Sequence, residues 1–164
     1  MLSCNLLLIN SPITEVNMSK SHGYYISSIY RHLQIYLNRQ FSNSGVGSGQ
    51  YLFFINIVQN EGINQKDLSD LLAIDKATTA KAVRKLTKLG YIVQKQNIQD
   101  KRFYNLYLTE KGRDILPEIK TILKGSRDIL QEGMTSEECD QSLKLLGLML
   151  NNIHHEVKEK KELY

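Results

Sequence analysis

Basic side chains crowd into residues 75–102, where their number and spacing suit the binding of a polyanion. Eight Lys and Arg residues lie in this segment, against two acidic residues, Asp75 and Asp100. The rest of the chain holds 13 basic and 15 acidic residues, out of totals of 21 and 17, and so is slightly negative. Because the positive charge is local, it indicates a surface that attracts a negatively charged partner. The simpler alternative is a set of solvated surface residues, so the interpretation depends on the elements that carry them.

Two short helices with a tight break between them are predicted from Asn64 to Leu89. Asn64 can cap the first helix and Asp75 the second, and Gly90 suits the position just after a helix end. The inner face of the first helix is predicted to consist of Leu68, Leu71 and Leu72. The second helix has apolar residues, with Thr79, in one sector and small or basic residues in the opposite one. This pattern is typical of a helix-turn-helix whose second helix enters the DNA major groove.

A β-hairpin is predicted directly after these helices. The segments "YIVQKQ" (91–96) and "RFYNLYL" (102–108) are strand-like, and the polar "NIQDK" lies between them. A hairpin in this place makes a winged helix, whose wing reaches the DNA backbone and minor groove. We expect Lys101 and Arg102 to make that contact. Asp100 is expected to stabilise the wing by a charge-assisted hydrogen bond to Arg102.

The predicted DNA-contacting residues combine small side chains, which let a helix approach the groove, with long basic ones that reach bases and phosphates. They are Lys76, Ala77, Thr78, Thr79, Lys81, Arg84, Lys85, Lys101 and Arg102. An alternative is a winged-helix module that binds a protein partner instead of DNA.

Long helices are predicted on both sides of this unit. Ser48, Thr109 and Thr135 are predicted N-caps, and Glu138 completes a capping box with Thr135. Apolar residues then recur at spacings of four and three, which indicates packing against another helix. They are Cys139, Leu143, Leu146, Leu150, Ile153 and Val157.

The expected fold is mainly α with a small β-hairpin wing: a winged helix-turn-helix plus long N- and C-terminal dimerisation helices. We expect an N-terminal arm over 1–20, a dimerisation helix over 21–47, a DNA-binding lobe over 48–110, and C-terminal dimerisation helices over 111–164. An alternative start at Met18 would place the first 17 residues upstream of the working protein.

Three segments together resemble the MarR family of transcriptional regulators: "NQKDLSDLLAIDKATTAKAVRKLTKLGYI", "QDKR" and "LTEKGRDILPEI". The resemblance implies a homodimeric repressor that binds a near-palindromic operator in double-stranded DNA. It also implies a small aromatic or phenolic effector, for which Tyr24, Tyr25 and Tyr36 are candidate pocket residues. The chain departs from the family at residues 77–81, "ATTAK", where Ser-Thr-Val-Thr-Arg is common. Lys81 lacks the guanidinium fork of Arg, so the base preference is expected to differ.

Other function classes find little support in the sequence. No catalytic motif, nucleotide loop or cofactor motif is present, so we expect neither an enzyme nor a cofactor. No pair of histidines has metal-ligand spacing on a helix, and no segment is long and apolar enough to span a membrane. Cys4 and Cys139 lie far apart, which suits a reducing, cytoplasmic location. A redox- or metal-sensing regulator of the same fold remains an alternative.

Overall fold

The structure, a computed structural model, describes residues 21–161, with side chains up to residue 157. Within this part of the chain there are six helices and one two-stranded antiparallel sheet. Their order is α1 (His22–Gln40), α2 (Tyr51–Gln59), α3 (Gln65–Leu72), α4 (Lys76–Lys88), β1 (Ile92–Gln96), β2 (Tyr104–Leu108), α5 (Glu110–Leu130) and α6 (Ser136–Lys161). The expected fold class, mainly α with a β-hairpin wing, is confirmed. The predictions for the arm, the Met18 start and Cys4 lie outside the described residues.

Side-chain caps start most of these helices where the sequence predicted them. Asn64 Oδ1 accepts from Asp67 N at the start of α3, and Asp75 Oδ1 accepts from Thr78 N at the start of α4, both at 2.9 Å. Thr109 Oγ1 accepts from Gly112 N at the start of α5. The capping box of Thr135 and Glu138 precedes α6. These caps satisfy backbone N–H groups that have no partner within the helix.

The predicted N-cap at Ser48 is wrong. The second helix begins at Tyr51 with Gln50 as its N-cap residue, and no side chain caps it. Ser48 is buried, and its backbone N–H donates to Asn38 Oδ1 on α1 at 2.9 Å. Ser48 is thus held by a contact between distant segments of the chain and lies outside α2.

The hydrophobic core lies where α2, α3 and α4 meet the hairpin and the ends of α1 and α5. Its largest fully buried side chains include Phe41, Phe54, Leu68, Leu86 and Ile119. Leu71, predicted to face inward, is 55% exposed, because an eight-residue helix turns only one narrow face to the core. Leu68 occupies that face, and Leu72 packs at its margin.

The hairpin is attached to the helical unit along the outer edge of β2. β1 and β2 pair in register from Ile92↔Leu108 to Gln96↔Tyr104. On its other edge β2 exchanges backbone hydrogen bonds with the segment before α3: Leu106 N donates to Ile63 O at 2.9 Å, and Gly62 N donates to Leu106 O at 2.8 Å. The wing thus extends from a fixed base.

Helices α1, α5 and α6 lie outside this unit and leave much apolar surface uncovered. The C-terminal part of α1 packs on α5, and Leu37 is buried there. Ile26 and Ile29, nearer the start of α1, are about half exposed. On α6 the apolar residues predicted to pack against a helix are largely exposed, with Leu150 at 65%. A soluble monomer rarely leaves an apolar helix face uncovered, so this surface has the character of an interface.

Candidate nucleic-acid interface

Helix α4 presents small and basic side chains to solvent from its first turn onward. Ala77 and Thr78 are exposed at its N-terminal end, and Lys81 follows one turn later. The outward face continues with Arg84 and Lys85. Beneath it, Ala82, Val83 and Leu86 are buried and fix the rotation of the helix on the core.

Thr79 must be removed from the predicted contact residues. Its side chain is 1% exposed, and its hydroxyl donates to the Asp75 carbonyl at 3.0 Å. A hydroxyl that is buried and bonded to its own helix cannot reach a base edge. The sequence had already placed Thr79 in the apolar sector, and that assignment is confirmed.

All eight basic side chains between residues 75 and 102 are exposed, as their predicted role requires. They are Lys76, Lys81, Arg84, Lys85, Lys88, Lys95, Lys101 and Arg102. Within residues 21–157, whose side chains the structure describes, Arg102 alone among these eight forms an ion pair with an acidic residue. Because the other seven form no ion pair with an acidic residue of the described part, the surface stays positively charged and attracts a polyanion.

At the wing tip, Asp100 holds Arg102 in a two-pronged hydrogen bond. Arg102 Nε donates to Asp100 Oδ1 at 2.9 Å, and Nη2 donates to Oδ2 at 2.6 Å. The Arg102 backbone N–H also donates to Asp100 Oδ1 at 3.0 Å. These side-chain and backbone hydrogen bonds from Arg102 lower the pKa of Asp100 below its ordinary value. The predicted contact is present, and 84% of the Arg102 side chain remains open to solvent.

A close approach between chain segments sets the hairpin against α5. Thr109 N donates to the Tyr91 carbonyl at 3.1 Å, and the Thr109 hydroxyl donates to the Gly90 carbonyl. Gly112 lies directly against the Tyr91 carbonyl, with no room for a side chain. The Gly in "LTEKG" therefore serves packing, a role that its local sequence could not reveal.

Glu61 forms a second link between the hairpin and α5, which the sequence did not indicate. Its Oε1 accepts from Leu108 N at 3.0 Å and from Arg113 Nη2 at 2.7 Å. The hydrogen bond from Arg113, aided by the one from Leu108, lowers the pKa of Glu61. The partners lie about fifty residues apart in the chain, beyond the reach of local pattern analysis.

A cavity of about 340 Å³ lies between α1 and the end of α5. Its lining is almost wholly apolar and consists of Ser28, Ile29, His32, Leu33, Tyr36, Ser126, Ile129 and Leu130. Of the three tyrosines predicted to line an effector pocket, Tyr36 is present. Tyr24 and Tyr25 are exposed and do not line this cavity, and their place in an effector pocket stays a prediction.

Metal-, thiol- and membrane-related features are few in the described part of the chain. Among these residues no three His, Cys, Asp or Glu side chains form a group that could hold a metal ion. Cys139 is a free thiol and is half-buried. No described helix has the length and apolar character needed to cross a membrane.

The fold and this surface define a winged helix-turn-helix protein. The sequence model of the MarR family matches residues 44–102, from the turn that follows α1 to the tip of the wing. The HTH-type transcriptional regulator YybA of Bacillus subtilis, itself uncharacterized, is 32% identical over 131 residues. That match covers 80% of this chain and 87% of YybA.

Two solved structures show the same likeness in three dimensions. A MarR transcriptional regulator from Methanosarcina mazei is 38% identical with a TM-score of 0.75, over 79% of this chain and 94% of that one. A putative MarR family regulator from Listeria monocytogenes, complexed with a 26mer DNA, is 31% identical with a TM-score of 0.78, over 84% and 91% of the two chains.

The chain belongs to the MarR family of transcriptional regulators. The resemblance predicted from its sequence is thereby confirmed. Since its relatives are named as regulators, the prediction that it is not an enzyme is confirmed as well.

Proposed function

We propose that this chain is a homodimeric repressor that binds a near-palindromic operator in double-stranded DNA and is released by a small aromatic or phenolic effector. The observation that carries the DNA-binding part is the basic surface of α4 and the wing. Eight exposed cations lie on adjoining elements, and one of them is held by a carboxylate in a fixed orientation. The Listeria structure in complex with DNA supports the same role for this fold.

Helix α4 is proposed to enter the major groove. Ala77 and Thr78 at its start allow close approach of the backbone, and Lys76 lies beside them for a phosphate. Lys81 and Arg84, one and two turns on, have the length to reach base edges. A solvated helix face would explain the exposure of these cations but not the small residues at the approaching end.

The wing is proposed to contact the minor groove and its phosphates through Lys101 and Arg102. Minor-groove potential attracts Arg, most strongly where A·T runs narrow the groove. Two Arg102 donors are engaged by Asp100, and the others are free to meet DNA. Fixing the guanidinium in advance reduces the side-chain entropy lost on binding.

The homodimer is proposed to form through the uncovered apolar faces of α1 and α6. Leu143, Leu146, Leu150 and Ile153 lie along one side of α6, and each is about half exposed or more. A second copy related by a two-fold axis would cover this face and place two α4 helices about one DNA turn apart. The operator would then consist of two inverted half-sites.

The effector is proposed to bind in the cavity between α1 and α5. The cavity volume falls within the range of small-molecule sites, and its walls suit an aromatic ring. Tyr36 and His32 belong to the lining, but almost no polar surface faces the cavity. Packing of an aromatic ring against Ile29 and Leu33 is therefore proposed to hold the effector. Because genomic DNA is the proposed partner, we also propose a cytoplasmic place of action.

Enrichment of random duplexes on the purified full chain tests the DNA part of this proposal. We expect a selected sequence with two inverted half-sites, and a Lys81→Ala variant should select a more degenerate one. Lys144→Ala is the matched control, because it removes an exposed lysine that lies away from α4 and the wing and about 120° around α6 from Leu150. If the wild-type chain enriches no sequence, the protein-interaction alternative is favoured over DNA binding.

A further inference from the structure

We infer that Ile98, at the tip of the wing, contacts the floor of the minor groove and makes the protein favour A·T pairs in the operator flanks. This inference rests on the DNA binding proposed above. The Ile98 side chain is 94% exposed, the largest exposure among the large apolar side chains of the described residues. It contributes almost nothing to the core, so the fold itself does not require an apolar residue there.

The turn that carries Ile98 is held in one shape by its own hydrogen bonds. Asn97 Oδ1 accepts from Gln99 N at 2.8 Å and from Asp100 N at 3.1 Å. Asn97 N donates to Phe103 O at 2.9 Å and so closes the base of the turn. Because Ile is branched at Cβ, its side chain also has few rotamers to lose. Ile98 therefore projects from a fixed support.

The surroundings of Ile98 favour DNA over a protein as its partner. The exposed residues beside it on the tip are polar or basic: Gln99, Lys101 and Arg102. An apolar anchor for a protein partner is normally surrounded by further apolar surface at the centre of an interface. A single apolar side chain between cations instead matches the wedges that minor-groove proteins place against base pairs.

The chemistry of the groove floor makes this contact selective. An A·T pair presents there two acceptors and an apolar C–H edge, whereas G·C adds the guanine 2-amino donor. An isoleucine cannot accept a hydrogen bond from that amino group. Pressing Ile98 onto a G·C pair would therefore remove the amino group from water without replacing its hydrogen bond.

Modified bases test this contact without changing the major groove. Replacing A·T by 2,6-diaminopurine·T adds the minor-groove amino group alone, and replacing G·C by inosine·C removes it. We expect each diaminopurine under a wing to weaken wild-type binding about five- to tenfold, the loss expected for a partly buried aliphatic contact. For Ile98→Ala the penalty should fall to roughly twofold or less, with lower affinity for the unmodified operator.

Two neighbouring variants serve as controls. Gln99→Ala keeps the backbone N–H that the turn uses, so its diaminopurine penalty should match the wild type. Lys101→Ala should weaken binding to all duplexes and leave the penalty unchanged. Thermal unfolding of Ile98→Ala should match the wild type, because the side chain is almost fully exposed.

Equal penalties for the wild type and Ile98→Ala at every flanking position, with operator binding intact, would overturn this inference alone. If the wild-type chain bound no duplex, both the proposed function and this inference would fail.

Discussion

Replacing Gly112 by Ala should destabilise the protein strongly, because residue 112 lies at the close contact that joins the wing to α5. A Cβ at residue 112 would overlap the Tyr91 carbonyl oxygen and lie 3.0 Å from the carbonyl carbon. Both obstacles are backbone atoms, so no side-chain rotation can relieve the overlap. The start of β1 would have to move by about 1 Å away from α5.

The expected loss follows from three effects. Overpacking of this kind costs about 1–3 kcal/mol, and loss of the Thr109 N to Tyr91 O hydrogen bond adds about 1 kcal/mol. The higher helix propensity of Ala offsets roughly 0.5–1 kcal/mol of this loss in the free energy of unfolding. The net loss of about 1–3.5 kcal/mol should lower Tm by about 2–14 °C for a chain of this length.

Thermal unfolding at matched protein concentration measures this loss, and the concentration matters because a dimer's stability depends on it. Gly49→Ala is the control, since a Cβ there would meet no atom within 4 Å, and its Tm should change little. A Gly112→Ala variant with wild-type Tm would refute the close approach between Tyr91 and Gly112.

Three further predictions concern the dimer, the wing and acid stability. Leu150→Glu should convert the dimer to a monomer in sedimentation with the winged helix still folded; a persisting dimer would contradict the proposed α6 interface. Arg102→Ala should weaken binding to operator and random DNA alike, by about tenfold in direct titration; a loss confined to the operator would assign Arg102 to base readout. Glu61 has a folded pKa below its ordinary 4.5, so its stabilising effect is present above that pH and is lost as pH falls through the folded value. Glu61→Gln should therefore lower the free energy of urea unfolding by about 0.5–1 kcal/mol at pH 7, and a difference that persists undiminished at pH 3 would contradict this.

Local features of the fold could be predicted from the sequence because they depend on neighbouring residues. The caps at Asn64, Asp75 and Thr109 need only a side-chain oxygen three residues before a free N–H. The hydrogen bond between Asp100 and Arg102 likewise joins residues two positions apart. The hairpin follows from strand-forming residues on either side of a short polar segment.

The features that were missed depend on contacts between distant segments. Ser48 has the residue type of an N-cap, but it is buried, its backbone N–H donates to Asn38 of α1, and α2 begins three residues later. The cavity lining depends on where α5 docks along α1, so it includes Tyr36 and leaves out Tyr24 and Tyr25. The division of the chain at residues 47 and 110 and the roles of the DNA-contacting residues stay predictions.

The salt dependence of operator binding tests most directly whether α4 and the wing bind DNA together. If a dimer neutralises about eight phosphates, log K should fall with log salt at a slope of about −7. Replacing Lys101 by Ala in both subunits should reduce the slope by about 2, since two phosphate contacts are lost. A slope near zero, or one that Lys101→Ala leaves unchanged, would contradict the claim that this basic surface binds the duplex.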